Sequence, residues 1–207
     1  MLARLLAGAT CAAGLLVAVC TTPAAAHPID QQVRPTFGSM LGNLFGSSTA
    51  RMTVNYTGNQ KPGTIIISTG QRRLYLVLGN GQALSYGIGV GKEGFAWSGV
   101  TQVSAKREWP DWTPPEEMIQ RAPYLPRFTA GGEGNPLGAR AMYLSGSYYR
   151  IHGTNAPSTI GSRATSGCIR MANEDVIDLY DRVKIGTKVV VLPDVERRAS
   201  ASFSWFR

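Results

Sequence analysis

Short runs of β-branched and aromatic residues, separated by glycine-containing turns, make up most of the middle of the chain. Thr64–Thr69 and Arg73–Leu78 both have this composition, and glycines flank each run. The tripeptide Gly79-Asn80-Gly81 then predicts a tight hairpin turn that leads into a strand over Ala83–Val90. The same pattern predicts four further strands, at Val100–Lys106, Ala141–Ser145, Tyr148–Ile151 and Lys188–Leu192.

Helical patterns are fewer. Asn173–Val183 is the clearest, because Val176, Leu179, Tyr180 and Val183 fall on one face and Asn173 is a suitable N-cap residue. Pro115–Arg121 predicts one or two further helical turns, with proline at the first position. We therefore expect a mainly β domain with one main α-helix and short extra helical turns.

The ends of the chain differ from this body. Residues 1–26 contain one cation, Arg4, then an apolar run and the ending Ala24-Ala25-Ala26, which is typical of a cleaved secretory signal peptide. The alternative, an uncleaved membrane anchor, needs about 20 apolar residues, and this run is shorter. Residues 27–62 are polar and predict a linker or loosely ordered arm, 63–193 form the expected domain, and 194–207 form a basic aromatic tail without an assigned role.

Composition excludes several classes of protein. With 43% hydrophobic and 16% charged residues, the 207-residue chain has the composition of a folded protein and not of a disordered one. The formal charge is +8, and loss of Arg4 with the signal peptide leaves +7. A basic exported protein can bind nucleic acid, an anionic membrane surface or an anionic polymer such as cell-wall material. Because the cations are dispersed and no stripe of cations alternates with aromatic residues, nucleic acid recognition is only weakly indicated.

Two cofactor motifs are present only in part. Gly89–Gly94 matches G-x-G-x-x-G, but Phe95–Gly99 does not begin the helix that a dinucleotide site requires. We interpret these glycines as sites of tight turning or close chain packing. A structural zinc site needs four ligands, and the mature chain offers one cysteine and one suitable histidine. No metal or cofactor is therefore expected.

Cys168 is the only cysteine left after removal of the signal peptide, which contains Cys11 and Cys20. His152 ends a predicted strand 16 residues earlier, and the polar segment Asn155–Thr165 can loop back to bring the two together. An imidazole beside a thiol can hold it as the thiolate that attacks a carbonyl carbon, and can then protonate a departing amine. On the residues alone, the alternative is a structural histidine and an inert, buried cysteine.

The segments Ile151-His152-Gly153-Thr154-Asn155 and Ser166-Gly167-Cys168-Ile169-Arg170-Met171 closely resemble the L,D-transpeptidase family with a YkuD-type catalytic domain. Asn135–Gly138 and Trp109–Pro115 also resemble that family, so that the likeness covers about residues 63–193. It implies a β-sandwich-like fold with a helix. It also implies an exported bacterial enzyme that acts on peptidoglycan stem peptides in the periplasm or cell wall.

The resemblance also implies roles for individual residues. Cys168 corresponds to the nucleophile and His152 to the base, with the imidazole oriented by the carbonyl of Gly153. Backbone N–H groups around Gly167 and Cys168 would form the oxyanion hole. Arg170 either contacts a substrate carboxylate or pairs within the fold. Ser166 stands where many members carry histidine, which leaves the role of its side chain open.

Three functions remain open at this point. A transpeptidase would release D-alanine from a tetrapeptide stem and transfer the thioacyl-enzyme to an amine of a second stem or of a protein. An L,D-carboxypeptidase or hydrolase would use water instead. A wall-binding module would keep the fold without catalysis, although the intact cysteine and histidine argue against it.

Overall fold

The computed structural model describes residues 33–35 and 49–193. The predicted signal peptide and the basic aromatic tail lie outside these residues. Twelve strands and two α-helices are described. They are β1 Val33–Pro35, β2 Met52–Tyr56, β3 Ile65–Ser68, β4 Arg73–Gly79, β5 Gln82–Gly87, β6 Val90–Gly91, β7 Gly99–Glu108, α1 Glu116–Arg121, β8 Arg140–Leu144, β9 Arg150–His152, β10 Arg163–Thr165, β11 Ile169–Arg170, α2 Asn173–Arg182 and β12 Lys188–Leu192.

Ten of these strands form one hydrogen-bonded series in the order β1-β2-β5-β4-β3-β12-β7-β8-β9-β11, and β10 pairs separately with β6. Most pairs are antiparallel, whereas β3–β12, β9–β11 and β6–β10 are parallel. The mainly β fold with one longer helix, expected from the sequence, is therefore confirmed. In the β4–β5 hairpin, Asn80 has a φ of 52° between two glycines that also have positive φ, as the predicted turn requires.

The main core lies between the two halves of this series. Its buried residues come from β3, β4, β5 and β12 and from β6, β7, β8, β9 and β11, and α2 contributes Val176 and Leu179. Alternation along β3 divides its side chains, because Ile65 and Ile67 enter this core while Ile66 enters a second cluster with Val54 and Tyr56. Both faces of the central strands are thus buried, which explains their continuous apolar runs.

The structure differs from the expected arm at its end. Met52–Tyr56, inside the segment 27–62, form β2 and pair antiparallel with β5. Val54 and Tyr56 are buried while Asn55 between them is exposed, so this strand has the period of two typical of a half-buried sheet. The polar composition of the neighbouring residues obscured that short alternation.

Asn173 does not cap α2 as predicted. Ala172 is the N-cap residue, and no side chain caps the helix. The Oδ1 atom of Asn173 instead accepts hydrogen bonds from the buried backbone N–H groups of Ala139 (3.1 Å) and Thr154 (3.0 Å). Gly138 and Gly153 lie so close to this oxygen that a Cβ atom at either would collide with it. Asn173 thus joins the helix to the ends of β8 and β9.

Neither helix in the described ranges is long and apolar enough to cross a membrane.

We expect Asn173→Ala to lower the free energy of unfolding by about 2 kcal/mol or more, because two buried N–H groups lose their acceptor. Asn173→Asp keeps an oxygen at the same place and should lose less. Urea denaturation measures both, with Glu174→Ala on the same helical turn as the control. Equal losses for Asn173→Ala and the control would contradict the assigned role.

Candidate active site

The parallel pairing of β9 with β11 brings the two predicted reactive residues together. Ile151 lies opposite Ile169, and His152 lies opposite Arg170. Both isoleucines are buried in the main core. Since successive side chains of a strand point to opposite faces, His152 and Arg170 lie on the other face.

The same alternation places Arg150 and Cys168 on that face. Each comes one position before its isoleucine, so Cys168, immediately before β11, lies across from Arg150. All four side chains line one cavity of about 770 Å³. Its other walls come from α1, from the segments around Pro136 and Tyr148, and from β10. This volume is in the range of sites that bind small molecules or peptide segments.

His152 is held in one orientation. Its Nδ1 atom lies 2.6 Å from the carbonyl oxygen of Gly153, the contact that the family resemblance implies. Because a carbonyl oxygen can only accept, Nδ1 carries the proton, and Nε2 of the neutral ring keeps its lone pair. Burial lowers the pKa of His152 from 6.5 to about 4, and the positive charges of Arg170 and Arg150 act in the same direction. The ring is therefore an unprotonated base at neutral pH.

Burial has the opposite effect on Cys168, whose pKa is raised. The backbone N–H and the guanidinium of Arg150, together with the charge of Arg170, lower the pKa and oppose this effect without cancelling it. The resting pair is then a thiol beside a neutral imidazole. This differs from the stored thiolate that the sequence suggested, because desolvation disfavours both charged forms.

The turn before Cys168 is fixed by packing and hydrogen bonds. Gly167 has a φ of 107°, and a Cβ atom there would collide with the ring of Tyr149. Trp97 stacks on Tyr149 with 4.9 Å between ring centroids, and its Nε1 donates to the carbonyl oxygen of Gly167 at 2.9 Å. Glycine is therefore required here to pack against Tyr149, as well as for the left-handed backbone.

Thr165 supports the same turn from the other side. Its hydroxyl donates to the carbonyl oxygen of Cys168 at 2.7 Å and accepts from the N–H of Gly167 at 3.3 Å. The Gly167 N–H, expected in the oxyanion hole, thus already has a long hydrogen bond that a substrate oxygen would have to replace.

The glycines of the partial dinucleotide motif have a packing role. Gly89 exchanges two backbone hydrogen bonds with Arg170, of 2.8 and 2.9 Å. A Cβ atom on Gly91 would meet the backbone of Phe95 and of Gly167. These contacts agree with the close chain packing expected from the sequence, and they support the backbone on both sides of Cys168. Within residues 49–193, no group of three or more His, Cys, Asp or Glu side chains is placed to hold a metal ion.

Of the predicted site residues, Cys168, His152, Ser166 and Arg170 line the cavity. Gly153 lies against His152, and Gly167 lies behind the cysteine. Sequence reasoning missed Arg150, Tyr149 and Trp97. Arg150 was open to prediction, because it lies two positions before His152 on one strand and so shares its face. Trp97 could not be predicted in this way, because it lies 70 residues before Gly167, the residue it contacts.

Comparison with known proteins identifies the family. The model of the YkuD L,D-transpeptidase catalytic domain matches residues 62–191. The putative L,D-transpeptidase YkuD of Bacillus subtilis is 37% identical over 157 residues, which cover 72% of this chain and 80% of that protein. The probable L,D-transpeptidase ErfK/SrfK of Escherichia coli is 38% identical over 137 residues, 62% of this chain. The chain spans only 43% of the length of that relative.

The fold is also found in a solved structure. The catalytic domain of an E. faecium L,D-transpeptidase superposes with a TM-score of 0.51 at 19% identity, covering 65% of this chain and all of that domain. A Brucella melitensis chain described as a probable carnitine operon oxidoreductase is 51% identical and covers 73% of this chain, with a TM-score of 0.48. On the strength of the domain match and the Bacillus relative, the chain belongs to the L,D-transpeptidase family and carries its YkuD-type catalytic domain.

Proposed function

We propose that this protein is an exported peptidoglycan L,D-transpeptidase with Cys168 as its nucleophile. One observation carries the proposal. Cys168 and His152 lie on the same face of two neighbouring parallel strands and line one cavity of about 770 Å³. A thiol and a buried base that share a cavity provide nucleophilic catalysis on a carbonyl group. The family supplies the substrate class, a tetrapeptide stem of peptidoglycan.

In the first step, Nε2 of His152 takes the thiol proton while the sulfur attacks the carbonyl carbon of the L-to-D peptide bond. A C–S bond forms, and the carbonyl oxygen becomes negatively charged. Backbone N–H groups of Gly167 and Cys168 stabilise that charge, with Gly167 releasing Thr165. Because burial disfavours the charged forms of Cys168 and His152, the transfer of the thiol proton belongs to the reaction and not to the resting state.

In the second step, the C–N bond breaks and the imidazolium gives its proton to the departing amine of D-alanine. The product is a thioester between Cys168 and the shortened stem. An acceptor amine then attacks the thioester and forms a new C–N bond, while His152 takes a proton from that amine. The C–S bond breaks, and the imidazolium returns its proton to the sulfur of Cys168, which restores the thiol. The acceptor belongs either to a second stem or to a protein attached to the wall.

Export of the enzyme is proposed from the signal peptide predicted over residues 1–26, and it places the enzyme in the periplasm or cell wall with its substrate. The excess of cations favours association with an anionic wall.

Hydrolysis by an L,D-carboxypeptidase differs from transfer only in that water is the acceptor. The reaction products therefore distinguish the two activities.

Incubation of the protein with purified tetrapeptide muropeptides should release D-alanine and yield cross-linked dimers, detected by mass spectrometry. Shortened stems without dimers would indicate hydrolysis, and unchanged stems with retained binding would indicate a non-catalytic module. Cys168→Ala should abolish turnover, because no other group replaces the sulfur. Cys168→Ser serves as the isosteric control, since it preserves the shape of the site but is expected to lose most activity. Normal turnover by Cys168→Ala would overturn the assignment.

Alkylation of Cys168 by iodoacetamide should become faster as pH rises to 9 and above, with no plateau between pH 5 and 8. The reason is that burial raises the thiol pKa, so the thiolate fraction keeps growing over this range. Mass spectrometry of the peptide that contains Cys168 follows the reaction. If the alkylation rate instead reached a plateau near neutral pH in the wild type but not in His152→Asn, Cys168 and His152 would form a thiolate–imidazolium pair at rest, which would contradict the raised thiol pKa.

His152 should make stability depend on pH. The unfolded chain binds a proton below pH 6.5, but the folded ring binds one only below about 4. Stability from the neutral ring is therefore present above pH 6.5 and is lost as pH falls towards 4. Relative to His152→Asn, which keeps a donor for Gly153, the wild type should lose about 3 kcal/mol over this range. Parallel urea curves of both proteins at each pH measure the difference, and identical pH profiles would contradict the lowered pKa.

A further inference from the structure

Two arginines flank the cysteine and histidine. Arg150 lies across from Cys168 and Arg170 across from His152, so the four side chains form a square on one face of β9 and β11. All four line the cavity. Neighbouring strands lie about 4.8 Å apart, so a group bound at Arg150 is close to the atom that the sulfur attacks.

Neither arginine has an acidic partner in the part of the chain that the structure describes. The Nε–H group of each is buried without a hydrogen-bond partner. Such groups are rare in folded proteins, because an unsatisfied buried donor destabilises the structure. Here both belong to cations in the cavity that holds the nucleophile.

Arg170 and Arg150 differ in what holds them. Arg170 donates from Nη1 to the hydroxyl of Thr159 at 2.9 Å, and its backbone is tied to Gly89. Arg150 lies over the ring of Tyr143, with its guanidinium carbon 5.2 Å from the ring centroid. A cation–π contact positions a guanidinium without occupying its N–H donors. The Arg150 side chain also forms a hydrogen bond with Cys168, so its remaining N–H donors lie beside the sulfur, where they can bind a ligand.

We infer that Arg150 is a specificity-determining residue that binds the terminal carboxylate of the donor stem. This inference rests on the proposed function, in which the leaving group is a terminal D-alanine. Its carboxyl carbon is three bonds from the carbonyl carbon that Cys168 attacks, which matches a cation directly across from the sulfur. Arginine binds a carboxylate through two parallel N–H bonds, whereas an amide lacks the charge. We expect a free acid to be preferred over the terminal amide by about 10- to 100-fold.

The first test uses two small alkylating reagents that differ only in charge at one end. Iodoacetate carries a carboxylate and iodoacetamide carries an amide, and both react with Cys168. The alkylation rate with iodoacetate divided by the rate with iodoacetamide should be about tenfold lower in Arg150→Met than in the wild type. A change in the thiol pKa cancels in this ratio, because both reagents consume the same thiolate. Arg107→Met is the matched control, since Arg107 is exposed and lies outside the cavity. An unchanged ratio in folded Arg150→Met would overturn the inference.

The second test compares tetrapeptide donors that end in D-alanine or in D-alaninamide. The wild type should have a 10- to 100-fold higher kcat/KM for the free acid, and Arg150→Met should lose most of this preference, with Arg150→Lys intermediate. If Arg150→Met does not fold, Arg150→Lys and the wild-type preference still decide, because equal use of both donors by the wild type overturns the inference. No release from either donor would instead overturn the proposed function, and the alkylation ratio would still judge Arg150.

Discussion

The parallel pairing of two very short strands is the constraint on which the site depends. β9 has three residues and β11 has two, yet their register places Cys168, His152, Arg150 and Arg170 on one face. So short a pair is not stable by itself. Ile151 and Ile169 anchor it in the main core, and Gly89 pairs with Arg170 from the other side. The core and the site are thus two faces of the same strand pair.

Support for this pair comes from several distant parts of the chain. Asn173 joins α2 to the backbone just before β8 and just after β9, next to the Gly153 carbonyl that orients His152. Trp97 and Tyr149 form a flat aromatic support behind Gly167. A displacement of any of these supports would move the thiol relative to the imidazole, and catalysis is sensitive to shifts of about 1 Å.

Burial determines the protonation states of the reactive pair. It raises the pKa of Cys168 and lowers that of His152, so both are uncharged at rest. Arg150 and Arg170 place positive charge directly beside this pair. Their charges lower the pKa of Cys168 and of His152, so they favour a thiolate and disfavour a charged imidazole.

Local sequence predicted β3, β4, β5, β7, β8, β9 and β12, the β4–β5 turn and the main helix, because alternation, glycine placement and an apolar helical face are properties of neighbouring residues. It predicted neither β10 nor β11, which are two or three residues long and form only by pairing with distant strands. It also singled out Cys168 and His152 as the residues able to do chemistry. Tertiary structure decided what depends on distant contacts. The side chain of Asn173 accepts hydrogen bonds from Ala139 and Thr154 instead of capping its own helix. β2 joins the sheet although the residues around it in the sequence are polar. Glycine is needed at position 167 because the ring of Tyr149 lies against it. The charge state of the pair was likewise open until burial was known, since desolvation depends on everything packed around a group and not on its neighbours in the chain.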